Sequence, residues 1–532
     1  MKPASFPIEK WLYGLAIALC VPALLINLGL LALIDDESIR ALVALEMKLS
    51  GNYIVPTLHG AFYYNKPPLY NWLLLLFFEL SGSVNEWTAR IPTVLFLMGY
   101  AGTVFYFFRR HFSFHIAFLN AFFLITCGRI LFYDSMLGLI DTCFSWVVFT
   151  SFMVLYHQGE RQNWGRLFLL TYLLTAVGFM MKGLPAVVFQ GISLLTWLAY
   201  KRQFMRLFSW QHIASGLLFL AIVGSYYWAY AQYHALDEVF YNLFNESSKR
   251  TVVQFGWGET LLHFFSFPFE MIYHFLPWTV MVIYFFKKGS WDRIRQHPFI
   301  VFNLLIFIAN ILIYWTSPQV YARYLLMFIP LIFSSFLYLH EWHREEKTWQ
   351  YKAIHYLLLA FCVVSLIGAF VPPFWDRLAI VPQRWLKSLV LGFSLLALTL
   401  VYWRWASMRL LTAILVFLVF RIGFNWFVLP DRVREDFGSL CRESSLEMGA
   451  QFAAYPLYVH PVSFPLMQTT NSFYLTKARG QIIEKAPPDI PKDAYYIIAP
   501  QAIPRVPYEK KGEFMVRHGK YPCDIGILIP EN

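Results

Sequence analysis

Long apolar stretches alternate with short polar connections through the first 430 residues of the chain. Crossing a hydrocarbon core of about 30 Å takes about 20 apolar helical residues, and stretches of this kind recur about thirteen times. They lie near residues 11–34, 91–108, 116–133, 139–157, 167–181, 184–200, 211–231, 263–286, 298–315, 323–340, 353–371, 385–403 and 408–429. The pattern predicts a polytopic α-helical membrane protein.

Polar and turn-forming residues interrupt this pattern in the segment 35–90, directly after the first apolar stretch. Apolar residues at three- and four-residue spacing predict a helix lying along the membrane interface: Ile39, Leu42, Val43 and Met47. Lys66 precedes two prolines that hold the chain extended, and a second apolar run follows over 69–80. We therefore expect this first loop to wrap one face of the membrane domain.

The pattern changes again at residue 430, where prolines, charged residues and short alternating runs replace the apolar stretches. The alternation predicts strands near 457–460, 494–498, 513–517 and 525–529, with a helix near 470–480. We expect a membrane domain over 1–430 and a small α/β domain over 431–532.

Composition and charge agree with this class. The chain is 58% hydrophobic and 14% charged, and its formal net charge is +11. The Lys and Arg residues gather in alternate connections, which by the positive-inside rule places the N-terminus in the cytoplasm and the first loop and C-terminal domain outside. The first span reads as a retained signal anchor. The net charge is thus a topogenic signal, and nucleic-acid binding is a poor explanation for it.

Two of the six cysteines, Cys441 and Cys523, lie outside the predicted spans. In an oxidising compartment they are candidates for a disulfide, although their spacing alone does not establish one.

Charged residues collect on the predicted outer side. A carboxylate at a span end is costly and often functional, as is expected of Asp141. Acids that face several bases suit the binding of a phosphate-bearing lipid, with a carboxylate acting on an acceptor. One helical turn separates Asp36 from Arg40, so the two can pair. The candidate site residues are Asp36, Glu37, Arg40, Lys66, Asp141, Lys182, Arg250, Tyr321 and Arg323.

Structural explanations compete with this interpretation. An acidic pair after a span is often a helix N-cap with a solvated turn. Lys182 and Arg323 stand at span ends, where basic side chains commonly extend to the lipid headgroups. The functional interpretation is favoured because all the candidates fall on one predicted face.

One motif in the first loop is highly specific in its spacing. It runs Asp36-Glu37, Glu46-Met47, Ser50-Gly51, Ile54-Val55-Pro56, Leu58, Gly60 and Lys66-Pro67-Pro68-Leu69. This motif resembles the first outer loop of bacterial C-type (GT-C) glycosyltransferases, above all the lipid A 4-amino-4-deoxy-L-arabinose transferases and the protein-mannosyltransferase-like enzymes. The resemblance continues at Asp141, at Met180/Lys182/Gly183 and at Arg323–Leu326. It implies the GT-C fold and covers the membrane half of the chain in order.

The resemblance also implies roles for the matching residues. The donor would be a sugar on a polyisoprenyl phosphate, usually undecaprenyl phosphate, and the reaction would invert the anomeric centre. Asp36 would be the loop carboxylate that acts as base or orients the acceptor, with Asp141 as the second acid. Lys66 and Lys182 would bind the donor phosphate, with help from Arg323.

The chain departs from the arabinose-transferase pattern at positions that can bind a metal ion. That pattern has a glutamate directly before the Lys-Pro and a Glu-His pair after the seventh span. Here these positions hold Asn65 and Glu246-Ser247. Amide and hydroxyl groups are poor zinc ligands, so we expect no zinc site and infer no other cofactor. A third departure is Ile39, which stands where an arginine is expected, and together these departures argue against lipid A as the acceptor more than against the donor class.

The sequence thus predicts an inverting, polyprenyl-phosphate-sugar-dependent glycosyltransferase of the bacterial inner membrane, with a periplasmic active site. Its acceptor, whether lipid A, another glycolipid, a glycan or a protein, stays open, as do the sugar and the oligomeric state. A flippase of polyisoprenyl-linked sugars is the rival from another class, although such transporters commonly have repeat-related halves that this sequence lacks. An inactive glycolipid-binding scaffold is the third alternative.

Overall fold

The computed structural model describes residues 7–34, 36–248, 252–435, 438–487, 489, 491, 493–499, 507–516 and 522–529. Most of these residues are helical. The α-helices are Pro7–Leu25, Asp36–Ser50, Leu69–Ser81, Glu86–Phe108, Phe114–Thr126, Gly128–Phe132, Ile140–Glu160, Trp164–Lys182, Pro185–Tyr200, Trp210–Ala231, Asp237–Ser248, Val252–His274, Ser290–Arg295, Pro298–Trp315, Ile329–Glu345, Trp349–Ala369, Arg384–Arg404, Arg409–Gly423, Leu429–Arg434, Ser439–Gln451 and Thr469–Arg479.

Nine helical segments in the described part of the chain are long and apolar enough to cross a membrane, or ten if one bent pair is a single span. They are Glu86–Phe108, Ile140–Glu160, Trp164–Lys182, Trp210–Ala231, Pro298–Trp315, Ala322–Glu345, Trp349–Phe374, Arg384–Arg404 and Ala406–Arg434, with Phe114–Thr126 and Gly128–Met136 as the bent pair. The protein is therefore a multi-pass membrane protein, as predicted.

The predicted count of about thirteen spans is not confirmed. Two of the predicted spans, 11–34 and 184–200, correspond to apolar helices shorter than the spanning length. A third, 263–286, is divided between the helix Val252–His274 and a 3-10 helix over Trp278–Phe286. Apolar runs of similar length thus fold into spanning helices, short helices and broken helices, which hydropathy alone does not separate.

The first loop contains two helices and a hairpin. The loop helix, Asp36–Ser50, and the apolar helix Leu69–Ser81 have the positions predicted for them. Between them, strands β1 (Thr57–Leu58) and β2 (Ala61–Phe62) form an antiparallel hairpin. The next span, Glu86–Phe108, is preceded by its N-cap residue Asn85, whose side chain and that of Thr88 form a reciprocal capping box.

The C-terminal part forms a five-stranded mixed sheet. Its strands are β3 (Leu457–Val459), β4 (Glu484–Lys485), β5 (Tyr495–Ile498), β6 (Tyr508–Met515) and β7 (Pro522–Leu528), in the order β4-β3-β5-β7-β6. Strand β3 pairs in parallel with β4 and β5, whereas β7 pairs antiparallel with β5 and β6. The small α/β domain is confirmed, and the boundary at 430/431 stays a prediction.

Two helices cover one face of this sheet. Apolar side chains of Ser439–Gln451 and Thr469–Arg479 share a core with the strands, including Met448, Phe452, Leu475, Ile497 and Phe514. The second helix, which we call the docking helix, also packs against the loop helix. The C-terminal domain is therefore in direct contact with the first loop. No disulfide joins the buried thiols of Cys441 and Cys523, both of which the structure describes.

Candidate active site

Four of the predicted site residues form one charged cluster. Arg323 donates from Nη2 to Oδ2 of Asp36 at 2.6 Å, and its Nε lies 3.6 Å from Oδ2 of Asp141. Lys182 donates from Nζ to Oδ1 of Asp141 at 2.5 Å. Two carboxylates and two cations thus form a continuous chain in the order Asp36, Arg323, Asp141, Lys182.

Helix ends bring these residues together. Asp36 is the first residue of the loop helix, and Asp141 is the second residue of the span Ile140–Glu160. Lys182 is the last residue of its span, which ends because Gly183 has a φ of +81°. Acids at helix N-termini and a base at a helix C-terminus complement the helix dipoles.

The four charges differ in their contact with solvent. The Asp36 side chain is 45% exposed, whereas that of Arg323 is only 4% exposed. Asp141 and Lys182 are also nearly buried. Asp36 is therefore the member of the cluster that an external molecule can reach most directly, and Asp141 is enclosed between the two cations.

Aromatic rings line the cationic groups. The Lys182 Nζ lies 4.0 Å from the ring centre of Tyr324 and 5.1 Å from that of Phe144. The Arg323 guanidinium lies 4.7 Å from the ring centre of Tyr321, the neighbouring predicted site residue. Aromatic faces stabilise cations that have lost part of their water.

A cavity of about 330 Å³ adjoins the cluster at Lys182. Its polar side chains include Asn65, Lys66, Lys182, Ser317 and Gln319. Its remaining wall is apolar or aromatic: Leu184, Pro185, Val188, Phe189, Leu243, Ile313, Tyr314 and Tyr324. The cavity thus joins a basic end to an apolar wall, which matches a lipid with an anionic headgroup.

Glu37 lies outside this cluster. Its carboxylate accepts bonds from Arg90 at 2.7 and 3.1 Å and from the amides of Ile34 and Gly138, each at 2.7 Å. The side chain is fully buried. Because protein groups occupy both oxygens, Glu37 fixes the start of the loop helix, and we assign it a structural role.

Arg40 likewise has another partner than the one predicted. It donates to the hydroxyl of Tyr63 at 2.9 Å, while Asp36 pairs with Arg323. The helical spacing allowed a contact between Asp36 and Arg40, but a distant arginine takes that place. Arg250 lies outside the described residues.

The positions that bear on metal binding are only partly described. Asn65 lines the cavity, whereas the side chains of Glu246 and Ser247 lie outside the described part of the structure. Among the residues that are described, no three or more His, Cys, Asp and Glu side chains come together as metal ligands.

Sequence reasoning missed a second buried carboxylate in the first loop. Glu46 accepts bonds from the Thr57 hydroxyl at 2.8 Å and from the amides of His59 and Gly60 at 2.7 and 3.2 Å. Burial raises the pKa of the Glu46 carboxyl, and these bonds oppose the shift. Glu46 belongs to the loop motif, but only the structure indicates that it shapes the hairpin.

The hairpin reaches the C-terminal domain through His59. Its Nε2 lies 2.6 Å from the Ser472 hydroxyl on the docking helix, and its carbonyl accepts a bond from the Lys485 amide at 3.3 Å. Burial lowers the pKa of the His59 imidazole to about 4. His59 also has a positive φ of 56°, which its position in the tight hairpin imposes.

Comparison with known proteins gives one family and a set of similar structures. Residues 65–228 match the family model described as dolichyl-phosphate-mannose-protein mannosyltransferase. Two curated relatives carry the name undecaprenyl phosphate-alpha-4-amino-4-deoxy-L-arabinose arabinosyl transferase. The relative from Shewanella sediminis is 25% identical over 290 residues, and the one from Pseudomonas fluorescens is 26% identical over 303 residues. These matches cover 53% and 54% of this chain, and 51% and 52% of the relatives, so the chain matches about half their length.

The structural likeness covers nearly the whole chain. The crystal structure of ArnT from Cupriavidus metallidurans bound to undecaprenyl phosphate superposes with a TM-score of 0.69 at 16% identity, covering 97% of this chain and 98% of that one. The apo structure of the same protein gives 0.66 at 16% identity, covering 98% of each chain. The predicted GT-C fold is confirmed, as is the resemblance stated from the first-loop motif.

Proposed function

We propose that this chain is an inverting glycosyltransferase that moves a sugar from a polyprenyl phosphate donor to an acceptor in the cell envelope. The observation that carries the proposal is the junction of the charged cluster with the cavity at Lys182. The match to relatives named for transfer from undecaprenyl phosphate supports the donor class.

The donor would lie along the cavity with its phosphate at the basic end. Lys66 and Lys182 supply positive charge there, and Arg323 is joined to Lys182 through Asp141. The apolar wall near Val188 and Ile313 suits the prenyl chain. Bond cleavage turns a phosphodiester into a phosphate monoester, which carries more negative charge. Fixed cations therefore stabilise the leaving group more strongly than the bound donor, which is the condition for catalysis.

Asp36 would be the catalytic base. In the proposed step, an acceptor hydroxyl forms a bond to the anomeric carbon and gives its proton to the Asp36 carboxylate. The bond from the anomeric carbon to the phosphate oxygen breaks, and its electron pair stays on the polyprenyl phosphate. A single displacement of this kind inverts the anomeric centre. The exposure of Asp36 suits contact with an acceptor.

Asp141 would hold the two cations in place. It stands between Lys182 and Arg323, at 2.5 and 3.6 Å, and is nearly buried. A buried carboxylate between two bases fixes their positions and offsets their mutual repulsion. Asp141 is thus a positioning residue in this proposal, and Tyr321 supports Arg323 through its ring.

We further propose that the site faces the periplasm from the inner membrane, since basic connections mark the opposite face as cytoplasmic. The domain 431–532 would then be periplasmic. An acceptor such as lipid A, another glycolipid, a glycan or a protein would approach past the first loop.

The test combines purified protein in lipid, radiolabelled undecaprenyl-phosphate sugars and a total envelope extract. Wild type should transfer label to an extract component, and Asp36→Asn should not. Asp292→Asn is the matched control, because Asp292 is exposed and makes only a 3.7 Å surface pair with Arg295. Donor binding without transfer by any of the three proteins would overturn the proposal in favour of a flippase or a scaffold.

A further inference from the structure

The segment that leads into Asp36 is held by the C-terminal domain. The amide of Leu33 donates to the Tyr474 hydroxyl at 2.9 Å, and the Leu33 carbonyl accepts from the Thr470 hydroxyl at 3.2 Å. Just past Asp36, the hydroxyls of Ser38 and Thr469 lie 2.6 Å apart. Residues on both sides of Asp36 are therefore bound to one helix, the docking helix.

The Tyr474 hydroxyl extends this contact into the membrane domain. It donates to Oε1 of Glu86 at 2.8 Å, and Glu86 also accepts from Arg442 at 3.3 Å. Arg442 donates in addition to the carbonyl of Leu30 at 3.2 Å. Tyr474 is fully buried, and Glu86 is the first residue of the span Glu86–Phe108. The segment before Asp36 is thus fixed between the docking helix and that span.

The docking helix also contacts the hairpin of the first loop. Ser472 contacts His59 in the hairpin at 2.6 Å. Seven residues later the chain reaches Lys66, which lines the cavity. The docking helix therefore contacts the chain at Leu33, shortly before Asp36, and again at His59, shortly before Lys66.

We propose that Tyr474 is a positioning residue, which keeps the Asp36 carboxylate at Arg323 by holding the backbone at Leu33. This inference rests on the proposed function. Asp36 is the third residue after Leu33, so a shift in one backbone position moves the carboxylate with it. A displacement of about 1 Å in a reacting group can lower the turnover rate about a hundredfold. The C-terminal domain is thereby part of the machinery that places the base.

The variant Tyr474→Phe removes the hydroxyl and keeps the ring. We expect kcat for sugar transfer to fall about tenfold to a hundredfold, with the KM for the donor changed by less than about twofold. Tyr496→Phe is the matched control: Tyr496 is buried in the same domain, and its hydroxyl donates to the Pro491 carbonyl at 2.5 Å. It should keep the wild-type kcat.

Combining Tyr474→Phe with Asp36→Glu, which keeps a carboxylate and measurable transfer, tests whether Tyr474 acts through Asp36. The double variant should be no slower than Asp36→Glu alone. A wild-type kcat in Tyr474→Phe, an equal fall in Tyr496→Phe, or additive losses in the double variant would each overturn the proposal. If Tyr474→Phe does not fold, Thr470→Val removes the neighbouring bond to Leu33 and takes its place.

Amide hydrogen exchange separates this inference from the proposed function, because it needs no turnover. Peptides covering residues 30–40 should exchange faster in Tyr474→Phe than in wild type and in Tyr496→Phe. Unchanged exchange would show that Tyr474 does not hold the segment. If wild type transfers no sugar while exchange responds as expected, the proposed function fails and the contact stands.

Discussion

The guanidinium of Arg323 lies 2.6 Å from the Asp36 carboxylate, although 287 residues separate them in the chain. The same guanidinium approaches Asp141 at 3.6 Å, so Arg323 is shared by the two acids of the site. It is also the link between the exposed carboxylate and the buried part of the cluster.

Replacing Arg323 should impair the proposed chemistry. Arg323→Gln keeps hydrogen-bonding capacity and removes the charge. We expect kcat/KM to fall about a hundredfold to a thousandfold, because a fixed cation at the leaving phosphate is lost. Transfer assays in lipid check this. Arg295→Gln, at an exposed surface pair, is the control and should match wild type within about twofold.

Lys182 should matter for stability as well as for transfer. Lys182→Met leaves the buried Asp141 with Arg323 as its remaining cation in the cluster, and breaking such a pair costs about 3 kcal/mol. The thermal unfolding midpoint in detergent should fall. Lys182→Met combined with Asp141→Leu should regain most of the midpoint but no transfer. Lys201→Met, in a half-exposed pair with Glu160, should change the midpoint little. A midpoint lower in the double variant than in Lys182→Met would contradict this account.

Asn65 lines the basic end of the cavity together with Lys66 and Lys182. Asn65→Glu adds a carboxylate beside the proposed phosphate position. We expect the apparent Kd for undecaprenyl phosphate, measured with a metal chelator present, to rise at least about tenfold, because without a bound cation like charges repel in a poorly solvated site. Asn65→Gln lengthens the side chain without adding charge and should bind much more tightly than Asn65→Glu. Equal affinities for the two variants would place the phosphate elsewhere.

Alanine variants of two glycines distinguish the stability cost of backbone strain from that of close packing. Gly51 and Gly60 both have a φ of +70°, where a Cβ is unfavourable. A Cβ on Gly60 would also lie 2.8 Å from Cγ of Glu484 in the C-terminal domain, whereas a Cβ on Gly51 meets nothing within 4 Å. Gly51→Ala should therefore cost about 1 kcal/mol, and Gly60→Ala more. Thermal midpoints of both variants decide this, and equal midpoints would mean that Glu484 simply moves aside.

His59 should make the hairpin sensitive to acid. Its pKa is about 4 in the fold because of burial, and about 6.5 when unfolded. Between these values the unfolded state binds a proton that the native state does not. The free energy of unfolding should therefore fall as pH decreases from about 6.5 to about 4. Unfolding midpoints across this range measure the slope.

The matched variant is His59→Asn, because asparagine tolerates a positive φ. In this variant the free energy of unfolding should depend less steeply on pH, by the equivalent of about one bound proton. The comparison is needed because Glu46, which accepts a bond from the His59 amide, has a raised pKa. At pH values above the ordinary pKa of a glutamate, Glu46 makes the free energy of unfolding rise as pH decreases, which opposes the effect of His59. Glu484 and Lys485 also lie near the hairpin, and they are present in both proteins. Identical slopes would exclude His59 as the source.

Much of the cluster could be predicted from the sequence. The sequence groups Asp36, Asp141, Lys182 and Arg323 because each stands at a predicted span end on the predicted outer side, and the structure joins all four. The sequence also predicts β3, β5, β6 and β7 of the C-terminal domain, because alternation with a period of two survives in short segments, whereas the two-residue strand β4 is not predicted. The local sequence pattern determines both the positions of these charged residues along the chain and these strands.

Features that depend on distant partners were not predictable. Helical spacing allows Asp36 to pair with Arg40, but the sequence around Asp36 does not indicate that Arg323 is its partner instead. Glu37 has the sequence pattern of a binding carboxylate, but in the structure Arg90 occupies its carboxylate oxygens. The docking helix was predicted at the correct position, near 470–480, but its contacts with Leu33 and His59 have no signal in a single sequence.

The bond between Leu33 and Tyr474 closes a chain separation of 441 residues. Synthesis proceeds from the N-terminus, so Asp36 is made long before the helix that secures its position. Until residue 474 has been made and the C-terminal domain has folded, the loop carries the Asp36 carboxylate without that restraint. Chains released before that point would have every charged residue of the cluster but not the Tyr474 contact. If Tyr474 positions Asp36 as proposed, activity would depend on completion of the C-terminal domain.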